Sequence, residues 1–176
     1  MKGLGLLAMN KTPKSNKKAT FAAGCFWGVE DKFRQIKGVI STVVGYTGGH
    51  FENPIYLDVC ARITGHAEAV QIEYNPQEIS YPELLNIFWQ IHDPTTLNRQ
   101  GPDRGEQYRS VIFYHNRAQE IMARSSKMEL EKSGKYENKI VTEIKPATKF
   151  YLAEDYHQQY LEKKRKSIEL LGNKGK

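Results

Sequence analysis

Cysteine is scarce in this sequence. Cys25 and Cys60 are the only two in 176 residues, and they form no CxxC pair. Two cysteines are too few for a disulfide-stapled scaffold at this length, and persistent thiols point to a reducing compartment. Long hydrophobic runs are missing as well. No apolar stretch approaches the ~18 residues of a membrane span. The apolar segment at residues 5–9 is too short for a signal core and lacks a small-residue cleavage site. The chain is therefore expected in the cytoplasm, off the membrane. No internal repeat or low-complexity linker is present, which excludes solenoids and tethered arrays. The five histidines show no HxxxH spacing. His66-Ala67-Glu68 matches half of a zinc deaminase signature, but the P-C-x-x-C half that should follow is absent, so no metal site is expected.

What is present suits a folded domain. Hydrophobic residues make up 39% and aromatics 11%, enough to bury a core and to exclude a disordered chain. The length fits a single domain. The formal net charge of +6 comes mostly from lysines near the ends, among them Lys14, Lys17, Lys18, Lys163, Lys164 and Lys166, with Arg165 beside them. Basic runs at termini are usually solvated. Without interleaved aromatics they form no recognisable nucleic-acid module, so no nucleic-acid partner is expected.

Hydrophobic periodicity alternates strands and helices. Residues 19–23 read as a strand running into a helix over residues 26–36, where Phe26, Val29, Phe33 and Ile36 share one face and Gly38 stops the run. Residues 39–46 read as a second strand, followed by a Gly-, Asn- and Pro-rich loop at residues 47–54. A third strand fits residues 66–74. Ser80 and Glu83 form a capping box for a helix striped by Leu84, Ile87, Phe88 and Ile91. Residues 95–109 form a long polar loop, a frequent carrier of function. Then come a strand at residues 110–114, a helix at residues 117–133 ended by Gly134, a strand at residues 140–144 and a helix around residues 154–161. The order predicts an α/β fold of the two-layer α+β kind: a ferredoxin-like βαββαβ plait with additional strands and helices.

Three residue types stand out chemically. Cys25, in Gly24-Cys25-Phe26-Trp27-Gly28, sits where a strand becomes a helix. Unpaired N–H groups and the dipole at a helix N-terminus favour an anion, and such a site can lower a thiol pKa from about 8.5 by a unit or more. A lone cysteine is commonly inert and buried; the position argues for a nucleophile. Trp27 lies about 100° round the helix from Phe26, off the apolar stripe and beside Glu30 and Arg34, where an apolar pocket next to the thiol would account for it. Phe26 lies on the stripe and fits the core equally well. Glu68 shares a strand face with Val70, Ile72 and Tyr74. A carboxylate there should be desolvated and its pKa raised, as a general acid requires, unless the strand end lets it reach solvent.

These segments together resemble the A-type peptide methionine sulfoxide reductases. The resemblance is carried by residues 24–28, by Thr64-Gly65-His66-Ala67-Glu68-Ala69-Val70, by His92-Asp93-Pro94-Thr95-Thr96 running on to residues 98–110, and by Tyr156-His157-Gln158-Gln159-Tyr160-Leu161. It spans residues 20–161 and implies the following. Cys25 is the nucleophile, and Phe26 and Trp27 wall the substrate methyl group. Glu68 protonates the sulfoxide oxygen, Tyr56 and Tyr108 hydrogen-bond it, and Asp103 orders polar groups in the site. The resemblance implies a ferredoxin-like plait too. The activity implied is thiol-dependent reduction of methionine S-sulfoxide, free or in proteins, through a Cys25 sulfenic acid. No cofactor is bound; the reductant is an external thiol, thioredoxin or glutathione with a glutaredoxin. The division expected is a mobile tail at residues 1–17, one catalytic reductase domain at residues 18–162, acting as a monomer, and a basic C-terminal tail at residues 163–176. Many relatives carry resolving cysteines near the C-terminus, whereas here no cysteine follows Cys60. Cys60 itself, between Val59 and Ala61, reads as a packed small hydrophobe.

Two rivals remain open at this level. A cysteine hydrolase would use Cys25 with His66 or His157 as base. A non-catalytic basic binding protein would show salt-sensitive nucleic-acid binding that survives Cys25→Ser.

Overall fold

The computed structural model describes residues 15–172. In chain order it contains β1 (Lys17–Ala23), α1 (Phe26–Arg34), β2 (Val39–Thr47), α2 (Tyr56–Cys60), β3 (Ala67–Tyr74), α3 (Tyr81–Gln90), β4 (Arg99–Gln100), β5 (Asp103–Arg104), β6 (Ser110–Tyr114), α4 (Arg117–Lys132), β7 (Glu143–Pro146), β8 (Tyr151–Leu152) and α5 (Tyr160–Gly172). Short 3-10 turns occupy Glu106–Tyr108 and Asp155–His157.

One six-stranded sheet has the order β7-β6-β1-β3-β2-β8. Its middle four strands, all antiparallel, are the plait: β1 lies between β3 and β6, and β2 pairs with β3. β7 adds a parallel edge strand beside β6, and β8 an antiparallel one beside β2. The main core lies between the sheet and the helices. Phe21 of β1 is fully buried, with its ring 5.4 Å from Phe33 of α1 and 5.1 Å from Phe88 of α3. Burying each such ring stabilises the fold by about 2–3 kcal/mol, and the aromatic pairing adds about 1 kcal/mol. The opposite sheet face is built of Ala22, Ala67 and Ala69 with Val111 and Phe113, and is covered by Ala147 and Phe150. Near it, at Gly45, a Cβ would sit 2.3 Å from the Tyr151 carbonyl, so only glycine lets the residue 147–152 segment close on β2.

The Ser80 cap is formed: its hydroxyl accepts the Glu83 N–H at 3.3 Å while the Glu83 carboxylate accepts the Ser80 N–H at 2.7 Å. Three expectations need correction. The strand expected at residues 140–144 begins at Glu143, because Val141 donates its N–H to the Pro94 carbonyl and the Lys127 ammonium takes the Thr142 carbonyl. The helix expected at residues 154–161 is a 3-10 turn followed by α5. Gln158 and Gln159 interrupt it: the Gln158 side chain bonds β2, and Gln159 has a left-handed φ of 49°. α5 therefore crosses the boundary drawn at residue 162. The tail expected at residues 1–17 lies outside the described residues as far as residue 14, and Lys17 already opens β1.

Candidate active site

Cys25 is the N-cap residue of α1, half-buried. The turn that delivers it depends on Gly24, whose φ of +96° and 2.7 Å Cβ clearance to the Gln100 side chain admit no larger residue. Gln100 is itself fixed, its amide accepting the Asp93 N–H and donating to the Asp93 carbonyl. The neighbouring N–H groups of Trp27 and Gly28 lower the thiol's pKa, yet the net effect is upward. Burial, followed by the neighbouring Glu68 charge, pushes it up to about 11. The lowering anticipated from the helix N-terminus is thus outweighed, first because the thiol is buried and then because a second acidic group shares that terminus.

That group is Glu68. It is 2% exposed on the core face of β3, and its Oε2 accepts the Phe26 N–H at 3.1 Å. Burial raises its pKa to about 7, opposed by the Phe26 bond and assisted by the charge of Asp103. The strand end therefore does not release Glu68 to solvent. Thiol and carboxyl sit at adjacent backbone positions of one helix start, each disfavouring the other's charge.

The remaining sequence candidates gather around this pair. Tyr108 ends the 3-10 turn Glu106–Tyr108, held by Arg109, whose guanidinium donates to the carbonyls of Glu106 (3.0 Å) and Gly65 (3.0 Å). Burial pushes the Tyr108 phenol up to about 12, with Glu68, Asp103, Cys25 and Cys60 adding to the rise. Asp103, on β5, is close enough to act on Cys25, Glu68 and Tyr108 alike. Tyr56 opens α2; its phenol is raised by a hydrogen bond with the Cys60 side chain and then by burial. Phe26 is buried, its ring 5.8 Å from Tyr46 and 5.2 Å from His157. Trp27 stacks on Tyr160 at 3.9 Å, and its indole N–H donates to His157 Nδ1 at 3.0 Å.

Cys60 is exposed, contrary to the packed setting expected of it, because α2 is five residues long and buries only Val59. His66 is occupied elsewhere: its Nδ1 accepts the Gly49 N–H at 2.9 Å and its Nε2 donates to the Phe51 carbonyl at 2.7 Å. With His157 Nδ1 taken by Trp27 and no histidine among the groups acting on Cys25, the thiol has no imidazole base, which removes the cysteine hydrolase.

Three residues that the sequence did not single out for a role also shape the site, as does His157, which it offered only as a hydrolase base. Tyr46, fully buried, lies directly opposite Glu68 in the β2–β3 ladder; the Thr42, Val44, Tyr46 alternation was the available signal. Glu154 accepts the Tyr56 N–H at 3.2 Å, the Tyr156 hydroxyl at 3.2 Å and the Tyr46 hydroxyl at 3.5 Å. Glu30 and His157 are discussed below. Among the described residues no group of three or more His, Cys, Asp and Glu could hold a metal ion, and no helix is long and apolar enough to cross a membrane.

Comparison with known proteins decides the family. The model for peptide methionine sulfoxide reductases matches residues 17–173. The chain belongs to the peptide methionine sulfoxide reductase family. It is 66% identical to the peptide methionine sulfoxide reductase MsrA of Methanosarcina acetivorans over 147 residues, 84% of this chain and 78% of that protein. Among solved structures it is similar to reduced Mxr1 from Saccharomyces cerevisiae, with a TM-score of 0.80, 41% identity and coverage of 86% of this chain and 87% of that one. Mxr1 in complex with Trx2 also matches, with a TM-score of 0.59, 30% identity and coverage of 88% and 91%. The reductase fold is the same mixed sheet with flanking helices, and the enzyme is an oxidoreductase that reduces methionine sulfoxide at the expense of thiols.

Proposed function

We propose that this reductase takes the S epimer of methionine sulfoxide, in proteins or free, with Cys25 as nucleophile and Glu68 as acid. The observation that carries this reading is the meeting of the half-buried Cys25 thiol and the buried Glu68 carboxyl at the start of α1, with Phe26 bonded to one and following the other. Tyr56 and Tyr108 hold the sulfoxide oxygen, Asp103 orders the polar side of the site, and Phe26 with Trp27 wall the methyl group.

Electrophilic sulfur requires a protonated or strongly hydrogen-bonded oxygen. Near neutrality the thiol–carboxyl pair holds one proton, and it rests on Cys25, because a thiol ordinarily titrates far above a carboxyl and, with both raised by burial, still does so, at about 11 against about 7 at Glu68. A bound sulfoxide reverses that preference. Its oxygen gives protonated Glu68 a hydrogen-bond acceptor, and its sulfur places positive charge beside the thiolate. The Cys25 thiolate attacks sulfur, the oxygen migrates from that sulfur to Cys25 as the new bond between the two sulfurs breaks and its electron pair returns to the substrate sulfur, and the thiol proton, relayed through Glu68, ends on that oxygen. The substrate sulfur is reduced to the thioether and Cys25 is oxidised to sulfenic acid. A first external thiol converts the sulfenic acid to a mixed disulfide and water, and a second releases Cys25. Thioredoxin, or glutathione with a glutaredoxin, supplies these thiols in the cytoplasm.

A methyl slot, an oxygen site and an attack line fix three points of a pyramidal sulfur, so one epimer fits. The methyl contributes about 1 kcal/mol; preference over methionine comes from buried donors that methionine leaves unpaired. The test is incubation of wild type and Cys25→Ser with each separated epimer of a methionine sulfoxide peptide plus a dithiol. Expected are reduction of the S epimer alone and none by Cys25→Ser with its fold retained. Full activity in Cys25→Ser, or equal turnover of both epimers, overturns the reading.

A further inference from the structure

We infer that His157 is a positioning residue whose Nδ1 aims the Trp27 indole and thereby sets both epimer preference and rate. The inference rests on the reading of Trp27 as the methyl wall.

Trp27 lies off the core stripe of α1, half-buried, and packs only against the margin of the main core. Two further contacts set the orientation of its indole. The stack on Tyr160, at 3.9 Å and 16°, holds the plane of the indole but leaves rotation within that plane free. The hydrogen bond from Nε1 to His157 Nδ1, at 3.0 Å, removes that rotation. The bond has a chemical requirement: an indole N–H only donates, so Nδ1 must be unprotonated. The environment enforces this. His157 is 0% exposed, and its ring lies 4.0 Å from Tyr156, 4.6 Å from Tyr56 and 5.2 Å from Phe26. Burial holds its pKa below the ordinary imidazole value against the pull of Glu154.

The proton then resides on Nε2, which has no hydrogen-bond partner and lies 3.5 Å from Glu154 Oε2 without the alignment of a bond. A buried N–H left unpaired works against folding. A phenylalanine ring would fill the same space without that penalty. What phenylalanine could not do is accept the Trp27 N–H, and this is the one hydrogen bond the imidazole makes. Glu154, in the same short segment, holds the Tyr56 backbone. Gln158 ties the segment to β2 through the Val44 N–H (2.9 Å) and carbonyl (2.9 Å). One anchored turn thus fixes the methyl wall on one side of the substrate sulfur and an oxygen-side phenol on the other.

The experiment uses the full chain, each sulfoxide epimer and the variants His157→Phe, His157→Asn, His157→Gln, Trp27→Phe and Trp27→Phe/His157→Phe. Asn places an amide oxygen where Nδ1 was; Gln cannot. His157→Phe is expected to lower the S-epimer kcat about tenfold or more, with a smaller change in KM, since misplacement of reacting atoms is costly. The ratio of S to R turnover should shrink with it, while the rate of iodoacetamide addition at the Cys25 peptide is unchanged. His157→Asn should stay within about twofold of wild type in that ratio, and His157→Gln should not; if His157→Phe fails to fold, these two amides decide. In the Trp27→Phe background, His157→Phe should cost nothing further. An unchanged epimer ratio in His157→Phe, equal behaviour of the two amides, or fully multiplicative losses in the double variant would overturn the inference. Trp27→Phe with wild-type rate and epimer ratio would instead sink the wall reading itself, and this proposal with it.

Discussion

At Cys25 two influences oppose each other. The Trp27 and Gly28 N–H groups favour the thiolate; burial and Glu68 disfavour it and prevail, leaving the thiol at about 11. The sequence disclosed the helix start and the apolar face of Glu68 separately. It could not disclose that both groups share one set of backbone donors, because that depends on how β3 docks beside α1. The pH behaviour follows from the pair. The reactive arrangement, thiolate with protonated Glu68, carries one proton, and so does the resting arrangement. The kcat/KM should therefore rise as pH increases through about 7, where the doubly protonated pair loses its first proton, and then level off. Glu68→Gln should cost roughly 10²–10⁴-fold in rate, abolish that neutral limb, and lower the pKa read from Cys25 alkylation, since the Glu68 charge is gone. Retention of both rate and limb would place the acid elsewhere, with Tyr56 and Tyr108 the next candidates. A stability effect accompanies it. Folded Glu68 holds its proton more tightly than the unfolded chain does, so stability is lost as pH rises from the ordinary carboxyl value through about 7, by roughly 3 kcal/mol. Glu68→Gln should accordingly melt higher than wild type at pH 8 and lose that advantage in acid.

At the scale of elements, α1 shows why Trp27 stands off the core stripe. The periodicity gave one apolar face, Phe26, Val29, Phe33 and Ile36, and put Trp27 off it beside Glu30 and Arg34. That second side is covered as well. Glu30 is 1% exposed and accepts the Thr42 hydroxyl (2.8 Å), the Gln159 backbone N–H (2.8 Å) and the Gln159 amide (3.2 Å). Arg34 pairs with Glu162 at 2.7 Å and Arg165 with Asp31 at 2.6 Å, clamping α5 on α1. A charged residue at helical spacing carries no mark of a partner more than a hundred positions away, so this second interface was illegible. The five-residue α2 was hidden for a local reason: its N-cap is Ile55, and Asp58 caps it by accepting the Ile55 N–H at 3.0 Å. Glu30→Ala would leave the Thr42 O–H and the Gln159 N–H without their acceptor in a buried site, at a cost of about 2 kcal/mol or more. Because Gln159 follows the His157 turn, the loss should reach catalysis too. Urea unfolding and S-epimer kcat measured together would check this. Unchanged stability would mean that the α1–α5 interface does not depend on this carboxyl.

For the molecule as a whole, the plait was legible because its four central strands are short runs rich in apolar residues between turn signals and its two crossing helices carry apolar stripes, with a capping box on α3; the edge strands, two to four residues long, carry too little pattern. Recycling is also a question for the whole molecule. α5 holds no cysteine and is clamped to α1 through its first turns. The sulfenic acid at Cys25 is therefore expected to await an external thiol. Cys60 is the one internal competitor, and its exposure makes the contest closer than its neighbours in sequence suggested. Cys60 acts on both Tyr56 and Tyr108, and Cys25 acts on Tyr108 as well, so the two thiols have one phenol in common. A disulfide still demands Cα atoms within about 7 Å, and α2 would have to bring its last residue across Tyr56 to meet Cys25. A single turnover with excess S-sulfoxide and no reductant separates the routes. With an external resolver, one methionine forms per enzyme, Cys25 alone loses its thiol, and Cys60 still reacts with a thiol reagent. Addition of glutathione should then give a mixed disulfide at Cys25 by intact mass. Loss of both thiols, with a Cys25–Cys60 peptide after digestion, would show instead that α2 moves and that the chain resolves itself.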